Sequence, residues 1–273
     1  MQNVCLTIAG VDPSGGAGII ADVKTFKAFG CFPTAVITSI TFQNTLGVFG
    51  AVHQSSETVK NQIIPILDDY EVAAFKTGML PSEEIIEEVA SIISTRRLKN
   101  LILDPVVRST SGYDLIDDIA LKSLIEKLFP LALVVTPNIP EAERICKMRI
   151  ENLEDVKNAA KQILNFGAKA VLIKGGHLPF EEILEGVIYT EVPTSSKKAY
   201  DFLFLEGKLI IFASSYIETR ATHGTGCVLS AAITASIAKG KSLPQAVYDA
   251  KRFVTEAIRS SPLIGKGFPP VNA

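Results

Sequence analysis

Short apolar, β-branched runs alternate along the chain with longer stretches whose apolar positions recur every three or four residues. The first pattern predicts buried strands and the second amphipathic helices. Val4–Ala9 is a compact apolar run that ends at Gly10. A turn-rich loop follows over Asp12–Gly18, then a helix over Ile19–Phe29 closed by Gly30. Thr34–Phe42 reads as a strand, Glu57–Asp68 as a helix bent at Pro65, and Val72–Lys76 as a short strand. Ser82–Arg97 reads as a helix: Ser82 caps it, Glu83 and Glu84 lie in the first turn, and Arg96 and Arg97 in the last.

The unit then repeats. Leu101–Leu103 and Leu131–Thr136 read as strands, with a helix over Asp117–Leu128 between them. Pro140–Met148 is a short helix, and Asn152 caps another that stops at Gly167. Ala170–Lys174 is a strand ending in Gly175-Gly176. Residues 186–192, 200–205 and 208–213 form a predicted β-meander with Glu206-Gly207 as its tight turn. Val228–Ala238 is an almost wholly apolar helix, and Ser242 caps a last helix through Ile258. Such alternation predicts an α/β fold: a mostly parallel central sheet with helices on both faces and antiparallel strands at an edge. No linker or fixed-period repeat divides the chain, so residues 1–273 are expected to form one domain.

Composition narrows the function classes. Of 273 residues, 47% are hydrophobic and 21% charged, which excludes a disordered or fibrous protein. Lys and Arg total 27 against 29 Asp and Glu, too balanced for a dedicated nucleic-acid binder. No apolar run reaches membrane-spanning length, and the N-terminus lacks the basic start of a signal peptide. Four cysteines without C-x-x-C spacing fit reduced thiols in the cytoplasm.

Ligands of open α/β sheets bind at the carboxyl ends of the strands, and that is where this chain concentrates its polar and flexible residues. The strand exits are Gly10–Gly18, Lys76-Thr77-Gly78-Met79, Asp104-Pro105, Thr136–Glu141 and Lys174–His177. Gly16-Ala17-Gly18-Ile19-Ile20-Ala21 fits a dinucleotide fingerprint, but no acid occurs between Asp22 and Glu57 to hold a ribose. A nicotinamide enzyme is therefore disfavoured, and no P-loop motif is present. Otherwise these glycines serve tight strand-to-helix packing.

Thr222-His223-Gly224-Thr225-Gly226-Cys227, directly before an apolar helix, is the strongest local signal. Its glycines let backbone N–H groups converge at a helix N-terminus as an anion cradle. A cysteine there is expected to have a lowered pKa; the other reading is a buried, inert thiol. Cys5, Cys31 and Cys146 read as core. His53 reads as structural, and His177 either lines a site or is solvated. No cluster has zinc spacing.

Taken in order, these motifs resemble the hydroxymethylpyrimidine/phosphomethylpyrimidine kinases of thiamine biosynthesis, in the ribokinase-like superfamily. The likeness runs from Leu6 to Asn272 and includes Gln43-Asn44-Thr45, Asp104-Pro105-Val106 and Gly265-Lys266-Gly267. It implies a three-layer αβα sandwich, ATP and Mg2+ as cofactors, a small pyrimidine substrate and a homodimer. Gln43 would bond the pyrimidine edge, while Gly10, Asp22, Met79 and Val106 shape its pocket. Asp104, Asn138 and Glu141 would organise magnesium and the triphosphate, with Asp104 and Glu141 nearest the metal. Lys174 would neutralise phosphate charge. Thr222 and His223 would border the nucleotide, and Gly224, Thr225 and Gly226 the transferring phosphoryl group. Cys227 stands where sugar-kinase relatives carry a catalytic Asp and would serve as base.

The flap departs from the family pattern D-P-V-M-x-x-K-S-G. Thr110 holds the lysine position, and Arg108 either replaces that charge or faces solvent. The related pyridoxal kinases tend to carry a second cysteine in this flap, absent here. The expected reaction is therefore phosphorylation of 4-amino-5-hydroxymethyl-2-methylpyrimidine and then of its monophosphate. Pyridoxal kinase is the alternative, and a non-catalytic vitamin-precursor binder the rival from another class. The Ala273 terminus replaces the family's usual His.

Overall fold

In a computed structural model, residues 2–107, 112, 114–176 and 185–273 are described. The flap positions Arg108 and Thr110, and His177, lie outside them.

The strand signals translate into one sheet because alternate residues of each run bury on opposite faces. In β1 (Val4–Val11), Leu6 and Ile8 enter the larger core, while Cys5 packs on the other face with Phe26 and Ala231. In β5 (Leu101–Leu103), Leu101 and Leu103 face one core and Ile102 the other. Continuous apolar runs of this kind belong to strands covered on both sides. With β2 (Phe32–Asn44), β3 (Gly47–His53), β4 (Val72–Thr77), β6 (Ala132–Val135) and β7 (Ala170–Gly176), they order as β3-β2-β1-β4-β5-β6-β7. The order continues through β9 (Lys198–Leu205) and β10 (Lys208–Ser215) to β8 (Ile188–Tyr189), ten strands among the described residues. From β2 to β7 the strands are parallel; β3 runs antiparallel to β2, and β9 antiparallel to both β7 and β10.

Helices α1 (Gly18–Ala28), α7 (Thr225–Ala238) and α8 (Leu243–Arg259) cover one face. The other carries α2 (Ser56–Asp69), α3 (Glu83–Arg96), α4 (Asp118–Ser123), α5 (Ile139–Cys146) and α6 (Leu153–Asn165). This is the expected αβα sandwich. Local signals set the helix starts: Ser55, Ser82, Asn138 and Asn152 each accept a backbone N–H three residues on. The helix after β1 goes to one face and the helix after β4 to the other. Between these adjacent strands lies the topological switch point, where a crevice opens at the strand carboxyl ends.

Four expectations need correction. β2 extends to Asn44 and pairs with β3, which the strand pattern did not predict. The stretch 117–128 is not one α-helix: α4 gives way to a π-helical turn over Leu124–Leu128. The expected meander is true only of β9 and β10, joined by Glu206 (φ 51°) and Gly207 (φ 75°); β8 is a two-residue strand parallel to β10. Such paired positive φ values match the twist of a tight hairpin. Finally, α7 begins at Thr225 rather than Val228, which brings its first amides into the crevice.

Candidate active site

The crevice is a cavity of about 720 Å³. Its middle is built from three adjacent strand exits. Asp104 follows β5, Asn138 and Glu141 follow β6, and Lys174 lies in β7, two residues before its end at Gly176. Lys174 Nζ lies 2.9 Å from Asp104 Oδ1 and 3.9 Å from Glu141 Oε2, so one ammonium bridges two buried carboxylates. Burial works against Asp104's charge, but Lys174 and Lys76 outweigh it and hold its carboxyl below the usual range. Glu141 goes the other way: burial raises it, and the pull of Lys174 does not compensate. For Lys174, the two acids overcome burial and keep the ammonium charged.

Asn138 and Glu141 form a reciprocal cap at the start of α5. Glu141 N–H donates to Asn138 Oδ1 and Asn138 N–H to Glu141 Oε2, both at 2.8 Å. Glu141 Oε1 also accepts the Val107 N–H at 3.3 Å. Reaching it places Val106, a cavity-lining residue, at φ 43°. That region is unfavourable for a β-branched residue and stores on the order of 1–3 kcal/mol of strain.

One wall is the start of α7. Thr225 N–H bonds back to Thr222 O at 3.3 Å, and Val228 N–H to Gly224 O at 2.9 Å. The amides of Gly226 and Cys227 precede it and have no helical turn behind them. Gly224 has φ 87°, and a Cβ there would sit 1.8 Å from Gly16 O, so only glycine lets the two loops meet. A Cβ on Gly226 would come within 3.2 Å of Lys174 Nζ, which shows how closely this backbone approaches the cation. Thr225 Oγ1 donates to Thr222 O at 3.1 Å and stiffens the turn.

Cys227 lines the cavity but does not have the lowered pKa expected from its place in the helix. Burial pushes the thiol up to about 11. Lys76 pulls it down, while Asp22 and Asp104 push it further up. The local rule considered the helix end alone; the tertiary surroundings reverse it.

Asp22 also needs correction. It was expected to shape the substrate pocket, yet its side chain is wholly buried and does not line the cavity. Its carboxylate accepts from Thr7 Oγ1 at 2.6 Å and from Lys76 Nζ at 2.9 Å. Lys76 is itself wholly buried, at the cavity floor. Burial opposes its charge; Asp22, Cys227 and Asp104 overcome that and hold its pKa up. The sequence reading gave Lys76 no role.

Gly10, Gln43 and Met79 also line the cavity. His223 was expected at the nucleotide. Its Nε2 instead meets Asp12 Oδ2 at 2.7 Å and the Gln43 amide at 3.3 Å. Asp12 is a second residue without an assigned role in the sequence reading.

Carboxylates suit a hard divalent cation. Magnesium typically takes one or two of them, keeping waters and binding phosphate oxygens. Asp104 and Glu141 fit that pattern around Lys174, and no cluster of three metal-ligating acidic, His or Cys side chains exists among the described residues. The donor set therefore suits an ion shared with a polyphosphate rather than one caged by protein alone.

Cations, free amides and two carboxylates in one crevice, at the switch point of this sheet, define a phosphotransferase of the ribokinase-like class. Residues 12–272 match the family described as Phosphomethylpyrimidine kinase, and the chain belongs to that family. It is 42% identical over 267 residues to the hydroxymethylpyrimidine/phosphomethylpyrimidine kinase of Bacillus subtilis (strain 168), covering 98% of this chain and 93% of that one. Among solved structures, phosphomethylpyrimidine kinase from Clostridium difficile 630 superposes with a TM-score of 0.79 at 40% identity, covering 94% of this chain and 100% of that one. An ADP complex of Bacillus subtilis pyridoxal kinase superposes with a TM-score of 0.86 at 36% identity, covering 99% and 97%.

Proposed function

We propose that this kinase transfers the γ-phosphoryl group of ATP to the hydroxymethyl oxygen of 4-amino-5-hydroxymethyl-2-methylpyrimidine, and in a second turnover to the resulting monophosphate. This is a thiamine-biosynthetic reaction. The observation that carries it is the cation of Lys174, held between Asp104 and Glu141 and facing the open amides of α7. Phosphoryl transfer asks the protein mainly to position groups and to stabilise charge on the moving phosphoryl oxygens. Lys174 and the amides of Gly226 and Cys227 supply that charge. Asn138 and Thr222 border the triphosphate, while Gln43, Gly10, Met79 and Val106 surround the acceptor. The acceptor oxygen bonds to γ-phosphorus as the bridging β–γ P–O bond breaks; ADP leaves and the hydroxyl proton passes to the Cys227 thiolate. Magnesium, when bound at Asp104 and Glu141, would neutralise charge on the phosphate oxygens.

The test is ATP turnover with the pyrimidine alcohol, its monophosphate and pyridoxal, in parallel. Turnover with pyridoxal alone would replace this reading by the pyridoxal one, the activity named for a structural neighbour at 36% identity. No turnover with any acceptor would leave only a binding protein. In the same assay Lys174→Gln is expected to lower kcat by about 10²–10³-fold, the usual cost of one charge-stabilising donor.

We further propose that residues 1–273 work as one kinase domain, supported by the single sheet that spans it. It is a cytoplasmic protein on the support of its four free thiols. No described helix is long and apolar enough to cross a membrane. A second copy of the chain is the proposed partner. The β2–β3 hairpin exposes Ile40, Phe42 and Val52 at 43%, 53% and 52% on one face, an apolar edge suited to pairing with itself. Phe42→Asp is expected to convert a dimer to a monomer in sedimentation equilibrium; a wild-type monomer would refute the assignment.

A further inference from the structure

Asp12 sits in the first glycine-rich loop, buried and fully engaged. Oδ1 accepts from Ser14 N–H at 2.9 Å and Ser14 Oγ at 2.7 Å. Oδ2 accepts from Ala17 N–H at 3.0 Å and lies 2.7 Å from His223 Nε2. Burial favours a neutral acid here, but His223 and Ser14 outweigh it and keep the carboxyl below the usual range. A carboxylate offers only lone pairs, so the ring nitrogen facing it at 2.7 Å carries a proton.

That proton decides the next link. As placed, the Gln43 amino nitrogen is 3.3 Å from the same Nε2 and its carbonyl oxygen is 3.1 Å from Thr41 Oγ1. Thr41 Oγ1 is also 3.0 Å from Val11 O, which can only accept. The single hydroxyl proton of Thr41 therefore goes to Val11, and the Thr41 oxygen is left to accept from Gln43. With the amino end of Gln43 against His223, donor would meet donor at one end and acceptor meet acceptor at the other. The two ends are isosteric, and the network settles their order: carbonyl towards His223, amino group towards Thr41. Gln43 lines the cavity, so its remaining lone pair and remaining N–H are presented to the acceptor substrate in that order.

We infer that Asp12 is a positioning residue that acts through His223 to set the direction of the Gln43 amide, and thereby selects a ring bearing an amino donor beside a ring-nitrogen acceptor. This deepens the proposed function and rests on its placement of Gln43 at the pyrimidine edge. A 4-aminopyrimidine offers that adjacent pair. A pyridoxal-type ring has no amino group next to its ring nitrogen and cannot use both ends.

Asp12→Asn breaks the constraint while keeping the size. An amide can donate to an unprotonated Nε2, so the other His tautomer becomes available and Gln43 is free to turn. Its KM for the pyrimidine alcohol is expected to rise about tenfold, with KM for ATP unchanged and the preference over pyridoxal reduced about tenfold, as one misdirected hydrogen-bond pair would cost. In a Gln43→Met background, which has no amide to orient, Asp12→Asn should leave the remaining selectivity unmoved. An equal rise in KM for ATP, or the same selectivity loss in both backgrounds, would overturn the inference. Wild-type protein gives an independent readout that needs no variant at Asp12. Long-range 1H–15N spectra, with His223 assigned by means of His53→Gln and His177→Gln, should show a protonated Nε2. An unprotonated Nε2 would overturn the network even if the pyrimidine is a substrate. Absence of pyrimidine turnover with Nε2 protonated would instead remove the substrate reading and, with it, the selectivity claim.

Discussion

Lys76→Met is expected to lower the unfolding midpoint by about 10 °C and to remove most of the kinase activity. Breaking a buried ion pair from one side typically costs about 3–5 kcal/mol, and each kcal/mol is worth about 2–4 °C in a chain near this size. Both partners are wholly enclosed, so Met would leave Asp22 as an uncompensated buried carboxylate with only Thr7 as donor. Stability and catalysis can then be separated. Replacing a whole buried pair with apolar groups is often close to neutral, so Asp22→Leu added to Lys76→Met should restore most of the midpoint. It should not restore turnover. The ammonium is the main group drawing the Cys227 thiol down, and it also helps Asp104 stay ionised. The double variant is expected to stay at least about tenfold below wild type, in line with the loss of one stabilising charge. Thermal unfolding and steady-state kinetics on the same three proteins check this. Full activity in the double variant would show that the pair serves packing alone.

Why Lys76 escaped the sequence reading is physical. In Val72–Thr77 a lysine looks like a polar position on a strand, and nothing local reveals a partner 54 residues away. Asp12 escaped for a related reason. Next to Pro13 and Ser14 it reads as a turn residue, which it is, but its second oxygen meets a histidine 211 residues on. The strand exits, by contrast, were legible. Each buried run ends in a short polar or glycine-rich stretch, and a parallel sheet necessarily brings all those ends to one edge. β3 was not, because its run is interrupted by Gly50 and leaves Phe49 and Val52 exposed. A pattern method tuned to buried faces passes over such a strand. Asn138 and Glu141 were legible only as site residues; that their side chains also cap α5 is visible only in the structure. Local rules thus located the crevice, while the charge state inside it depends on groups that only folding brings together.

That distinction matters most at Cys227, where the two half-reactions should diverge. With its thiol near 11, only a small fraction is thiolate at neutral pH. A hydroxymethyl group needs a base to lose its proton, and such help is worth about 10²–10⁴-fold. The monophosphate acceptor, whose second ionisation lies near pH 6 as for other alkyl phosphates, already carries its charge. Phosphorylation of the alcohol is therefore expected to accelerate as pH rises from 7 towards 10, following the thiolate fraction, whereas phosphorylation of the monophosphate stays nearly level. Cys227→Ala should remove that slope and slow the alcohol step by about 10²-fold or more. The monophosphate step should lose less than about tenfold, because the amides at the start of α7 and Lys174 remain to receive the moving group. Rate–pH profiles for both acceptors, with saturating ATP, decide the matter. An equal loss in both steps, or an alcohol profile whose slope survives in Cys227→Ala, would remove the thiol from proton transfer and leave the amide cradle as the principal contribution of this turn.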